Sequence, residues 1–300
     1  MKPVAAALVA MLVAGGAGAQ APVLDAPALG TAVRDPAPGI AQAADTRARD
    51  TQTKDTQTKD PQTKDPQTRD SQARDTQAKD CIESAGAVAP DFALPHVARA
   101  VAAKRLYVAV VGSASSDLTG PRGTNIAYPA ALEQALGSAL NGVDVKVTTH
   151  ARPRATAAEL NEVLDGVVSG FKPALVIWQT GTADAIKGID PDDFRAALDS
   201  GIDRVRAAQA DVVFVNMQYS PRIEAMLAVS AYAETMRLVA VQRQAVLFDR
   251  FDIMKRWNED GVFDLGGATR TTGIAEKVHG CLGRLLAAAV VEGARMASPP

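Results

Sequence analysis

Between residues 104 and 291, five short runs rich in Val, Ile and Leu alternate with stretches whose apolar residues recur every three and four positions. Parallel strands need a crossover of a dozen or more residues, usually a helix, whereas antiparallel neighbours are joined by short turns. The alternation therefore restricts this region to an α/β fold, a parallel sheet covered by helices on both faces. The expected strands are 106–111, 143–148, 174–178, 212–216 and 245–248, and the expected helices are 128–140, 156–168, 191–208, 222–242 and 274–291. Asp190-Pro191 marks one helix start, a capping carboxylate followed by proline at the first helical position, with Asp192 and Asp193 at the positive end of the dipole. The expected architecture is a flavodoxin-like three-layer α/β/α sandwich on a five-stranded parallel sheet. Ligands of such sheets lie beyond the carboxyl ends of the strands, so function is sought in the loops 112–120, 150–154, 179–184, 217–221 and 249–251.

The first eighty residues carry no such pattern. Residues 1–21 combine an early lysine, an apolar run over 4–13 and the small residues Ala17, Gly18, Ala19 and Ala21, which is the layout of a secretory signal peptide. The expected location is therefore the periplasm or the exterior of the cell. Residues 46–80 repeat a pentad seven times, each ending in Asp preceded by Lys or Arg, with no apolar residue larger than alanine. Such a segment has nothing to bury that would offset the entropy of ordering, and Pro61 and Pro66 interrupt any helix, so 22–80 reads as a disordered linker. The formal net charge of -2 and the 4% aromatic content argue against a nucleic-acid partner. No interior apolar run approaches the length of a membrane span, so none is expected after signal cleavage.

Export changes how the two cysteines are read. In an oxidising compartment Cys81 and Cys281 would form one disulfide joining the two ends of the globular part, with two free buried thiols as the alternative. The three histidines, His96, His150 and His279, lie far apart in sequence and show no ligand spacing, so neither a metal nor another cofactor is expected.

The densest candidate loop is Gly112-Ser113-Ala114-Ser115-Ser116-Asp117-Leu118-Thr119-Gly120. Small residues at a strand end permit a sharp turn, on which a serine can face a substrate while backbone N–H groups meet a developing oxyanion. A serine-rich turn that merely caps its own backbone is the plainer alternative. This turn, the helix start Ala127-Tyr128-Pro129-Ala130-Ala131-Leu132, and Trp178-Gln179-Thr180-Gly181-Thr182-Ala183-Asp184 after a middle strand resemble the SGNH, or GDSL-type, hydrolases over about residues 104–296. The resemblance implies a hydrolase-like domain over 81–300, acting on a small acyl ester, acetyl included, of an envelope carbohydrate or lipid. It puts the nucleophile at Ser116, four residues before Gly120, with Ser115 the neighbouring alternative. A register with Gly112 as the family glycine would instead put Ala114 at the nucleophile position and imply an inactive site.

The resemblance further implies an oxyanion hole from the backbone of Ser116, Arg154 and Gly181 together with Thr182. The family's Gly-x-Asn-Asp reads Gly181-Thr182-Ala183-Asp184 here, so the usual amide donor is missing, and Thr182, Gln179 or Gln218 would have to replace it. The family's Asp-x-x-His before the last helix is also missing, leaving His279 as the base, oriented by Asp264 or Asp249, with His150 as a competitor. The other function class is a catalytically inactive protein of the same fold that binds a periplasmic glycan or a protein partner.

Overall fold

The structure, a computed structural model, describes residues 81–86, 88–120, 124–226, 229–266 and 272–297. The expected signal segment and the pentads lie outside the described residues. In chain order the elements are α1 (Pro95–Ala102), β1 (Arg105–Gly112), a 3₁₀ turn (Ala114–Ser116), α2 (Tyr128–Ala139), β2 (Asp144–Ala151), α3 (Ala157–Phe171) and β3 (Leu175–Gln179). There follow α4 (Thr182–Lys187), α5 (Pro191–Ala207), β4 (Asp211–Val215), α6 (Pro221–Met226), α7 (Val229–Gln242), β5 (Val246–Phe248), α8 (Arg250–Glu259) and α9 (Thr272–Ala297). The five expected strands and the five expected helical stretches all recur within a few residues of their predicted bounds. The stretch 222–242 is described as two helices, α6 and α7, on either side of 227–228. The short helices α1, α4 and α8 are additions.

All strands are parallel, in the order β2-β1-β3-β4-β5. Alternation along β1 divides the core in two. Leu106, Val108 and Val110 join Leu175, Ile177, Val213 and Val215 beneath α1, α2 and α9, whereas Ala109 and Val111 join Val176, Trp178, Val212 and Phe214 beneath α3, α5 and α7. Each side chain of this size withdrawn from water contributes about 1.5–3 kcal/mol, which is why strands buried on both faces are apolar throughout.

Two close approaches fix how helices meet the sheet and each other. At Gly201 a Cβ would lie 2.2 Å from the Trp178 ring, so α5 crosses the indole face only as glycine. At Gly283 a Cβ would lie 2.7 Å from the Tyr128 carbonyl oxygen and 2.7 Å from the Leu132 nitrogen, both backbone atoms that cannot rotate aside. Gly283→Ala is expected to separate α9 from α2 and to cost about 3 kcal/mol, at the upper end for an added methyl in a packed core. An unchanged denaturation midpoint in urea would show that the two helices are free to part.

Cys81 and Cys281 form a disulfide with S–S 2.03 Å, closing a sequence separation of 200. Cys81 sits in a helical turn over 81–85, its carbonyl accepting the Trp257 indole N–H at 2.8 Å, and Cys281 lies on α9. The bond thus ties the start of the described domain to its last helix.

Candidate functional site

The strand order reverses direction between β1 and β3, and the crevice at their carboxyl ends is where the serine-rich turn emerges. Register aligns the strand ends: Val111 pairs with Trp178, Gln179 with Val215, and Val215 with Phe248. Gly112, Gln179, Asn216 and Asp249 therefore stand in one row at the edge of the sheet.

Gln179 organises that row. Its Oε1 accepts the hydroxyls of Ser116 at 2.6 Å and Ser115 at 2.9 Å, while its Nε2 donates to Ser113 Oγ at 2.9 Å. With the Ser116 proton directed to the amide, the Tyr128 hydroxyl donates to Ser116 Oγ across 3.1 Å. Ser116 is completely buried, and its own N–H closes the 3₁₀ turn onto the Ser113 carbonyl at 2.9 Å. The expectation that Ser116 is a nucleophile whose N–H lines an oxyanion hole is therefore corrected on both counts. Its hydroxyl is sealed from substrate, and both of its polar groups are used internally. An amide oxygen accepts a hydrogen bond but does not take a proton at neutral pH, so Gln179 activates neither Ser115 nor Ser116.

At Gly112 a Cβ would lie 2.5 Å from Ser116 Oγ, so glycine is required there for the serine to fold back against the strand. That requirement matches the register in which Gly112 is the family glycine, and the residue two positions on, Ala114, is exposed at the head of the turn. The side chain that faces the crevice is a methyl group.

His279 is 6% exposed on α9, and its Nδ1 accepts the backbone N–H of Tyr128 at 3.1 Å. Tyr128 is the first residue of α2, so the imidazole satisfies one of the N–H groups that a helix start leaves unpaired. This bond sets the tautomer, because an acceptor Nδ1 leaves the proton on Nε2. A base that relieves a serine of its proton needs the opposite arrangement, with Nε2 unprotonated and Nδ1–H held by a carboxylate. The expected role of His279 is corrected accordingly. Burial, and then the Arg250 guanidinium, push its pKa down to about 4. Asp264, the expected orienter, accepts the Gly266 N–H at 3.0 Å, and the charged group acting on His279 is Arg250 rather than a carboxylate. Asp249 caps α8 through the Asp252 N–H, accepts from Asn216 Nδ2 at 2.7 Å and pairs with Arg237 at 2.9 Å. His150 packs edge-on against Phe171 with its Nε2 3.2 Å from Thr148 Oγ1, away from the turn.

The remaining oxyanion candidates divide. Arg154 is exposed and adopts φ 61°, the left-handed backbone that a glycine would take at small cost, so the loop keeps a glycine-like shape without the residue. Gly181 has φ 98°, and a Cβ there would lie 2.6 Å from Met217 Sδ, but its N–H is directed at the Asp184 carboxylate. Asp184 in turn accepts the Ala157 N–H at 3.0 Å, which with the Thr156–Glu159 capping box holds the start of α3 beside the crevice. Burial raises the Asp184 pKa against these stabilising hydrogen bonds. Thr182 begins α4 half-buried, and Gln218 follows β4 half-buried. Among the described residues, no three His, Cys, Asp or Glu side chains converge as metal ligands would.

One residue escaped the sequence reading. Arg250, the first residue of α8, is 1% exposed, donates Nε to the Asn216 carbonyl at 3.1 Å and Nη1 to Ser115 Oγ at 3.2 Å, and has its buried Nη2 without a partner. Burial lowers its pKa to about 10. The rule of strand carboxyl ends pointed to its loop, but nothing in the sequence distinguishes an inward arginine from a solvated one.

A sequence profile of the non-GDSL lipase-like family matches residues 80–296. The chain belongs to that family. The family name suits a turn that reads Gly112-Ser113-Ala114, and the fold is that of the divergent SGNH-type lipases and acylhydrolases. Similar solved structures include a lipase/acylhydrolase from Enterococcus faecalis at 16% identity, with a TM-score of 0.49, covering 61% of this chain and 94% of that one. LAE5, an α/β hydrolase from the metagenome of Lake Arreo, Spain, matches at 14% identity and a TM-score of 0.49, covering 65% and 97%. TesA matches at 21% identity and a TM-score of 0.46, covering 60% and 97%. No curated protein sequence matches the chain. No helix among the described residues of this non-GDSL family member is long and apolar enough to cross a membrane.

The His279 environment carries a pH prediction. Above about pH 6.5 the imidazole is neutral in both folded and unfolded chains; between there and about pH 4 only the unfolded chain binds the proton. Stability conferred by the neutral, buried ring is thus present above pH 6.5 and lost as pH falls toward 4, by about 3 kcal/mol for this one group. Urea denaturation at successive pH values should show the slope in the wild type and a flatter one in His279→Gln; equal slopes would refute the assignment.

Proposed function

We propose that this chain is an exported, non-hydrolysing member of the SGNH-type fold, whose crevice holds an envelope carbohydrate or acyl ligand without cleaving it. The observation that carries this reading is the hydrogen-bond pattern of the turn: the hydroxyl protons of Ser115 and Ser116 both point to an amide oxygen, and Ala114 takes the exposed place. The signal-peptide pattern of residues 1–21 supports export, with mature protein beginning at Gln20 or Pro22, and the pentads of 46–80 would then tether the domain at a distance.

A second reading, hydrolysis of a small ester, draws on Ser115. That side chain is half-buried rather than sealed, and a guanidinium donates to its oxygen. Rotation of Gln179 would free its hydroxyl for attack. Labelling by a serine-reactive fluorophosphonate separates the two readings, since only a nucleophilic hydroxyl with a proton acceptor forms the adduct.

A further inference from the structure

Arg250 is a buried cation without a counterion. Nη2 is sealed and unpartnered, Nε and Nη1 are bonded to a carbonyl and a hydroxyl, and no carboxylate pairs with the guanidinium. The titratable groups whose fields meet Arg250 are Tyr128 and His279, the one a phenol and the other an imidazole that is neutral at pH 7. Asp249, next in sequence, is committed to Asn216, Arg237 and the start of α8. Withdrawing a full charge from water with no opposite charge is disfavoured by stability alone. Of the partners of Arg250, Ser115 belongs to the half-buried turn at the mouth of the crevice, so the guanidinium stands directly behind the surface where a ligand would be held.

We propose that Arg250 anchors the carboxylate of a ligand, received by its free Nη2 with the Ser115 hydroxyl alongside. A single guanidinium in otherwise neutral surroundings is balanced by one negative charge, which favours a carboxylate over a phosphate dianion. The planar fork suits a two-oxygen acceptor. The natural ligand class is then an acidic sugar or a short-chain acid. This inference deepens the proposal that the crevice holds rather than cleaves its ligand, and the two fail separately. Fluorophosphonate labelling would overturn the non-hydrolysing reading and leave the carboxylate response standing; a missing carboxylate response overturns this one alone.

The test is thermal unfolding of the whole chain in sodium acetate or sodium glucuronate, against equal ionic strength of sodium chloride and of sodium phosphate. At about 100-fold excess over Kd, acetate or glucuronate should raise Tm by roughly 5 °C above chloride. Arg250→Met, which removes the charge and keeps the volume, should abolish that rise. Equal Tm in acetate, glucuronate and chloride, a rise with phosphate only, or a rise that persists in Arg250→Met would each overturn the proposal. If the variant does not fold, the wild type still decides: acetate neutralises the guanidinium, so the His279 ring observed by proton NMR should titrate at a higher pH with acetate than with chloride. An unmoved titration would refute the assignment.

Discussion

Incubation of the folded protein with a fluorophosphonate probe should leave it unlabelled, and short-chain p-nitrophenyl esters and acetylated sugars should turn over at the background rate. The reason is geometric. Ser116 is sealed and bonded to Gln179 and Tyr128, its N–H is spent on Ser113, and the one nearby imidazole carries its proton on the nitrogen that would have to accept one. Loss of a nucleophile or base from a complete triad lowers kcat on the order of 10⁶-fold, which places any residual hydrolysis below detection. Ser115→Ala and Ser116→Ala should then leave the blank unchanged. Ser116→Ala should instead lower stability by about 1–3 kcal/mol, because it strips a buried partner from both Gln179 and Tyr128. This reverses the expectation, natural for a serine on a loop, that the substitution would be nearly silent in the folded state. Labelling that disappears in Ser115→Ala would defeat the binding reading and assign hydrolysis to Ser115.

Reduction of the Cys81–Cys281 bond should produce the largest loss of stability. The bond closes a loop of 200 residues, for which the chain-entropy model gives about 5 kcal/mol. A domain of ordinary stability has only about 5–15 kcal/mol in total, so the reduced protein should unfold at a far lower denaturant concentration or fail to refold. Equilibrium unfolding with and without a phosphine reductant, and of the Cys81→Ala/Cys281→Ala variant, measures this. Coincident midpoints would mean that the packing of Trp257 and α9 holds the ends together unaided, and free thiols in oxidised protein would remove the bond altogether.

The sheet was legible in the sequence because its information is local. Strands buried on both faces must be apolar at every position, as in 175–179 and 211–215, and each crossover helix announces its own face and cap, as Asp190-Pro191 does for α5. Even α8, passed over at first, displays the spacing in its buried Arg250, Ile253, Met254 and Trp257. The position of the crevice followed from the same pattern through strand polarity.

What occupies the crevice did not follow. Ser113, Ser115 and Ser116 are chemically alike in sequence, and which one is sealed depends on Gln179, more than sixty residues away, meeting them across the β1–β3 pairing. His279 reads equally well as a base or as a helix residue until α9 packs against α2 and its Nδ1 meets the Tyr128 N–H. Arg250 is one charged residue among many until the Asn216 carbonyl and the Ser115 hydroxyl close around it. Periodicity and capping act between neighbours along the chain, so the sequence by itself determined the strands, the helices and the edge at which a ligand would lie. Hydrogen-bond direction, tautomer and the desolvation of a charge depend on groups that only folding brings within 3 Å, and these the tertiary structure alone decided.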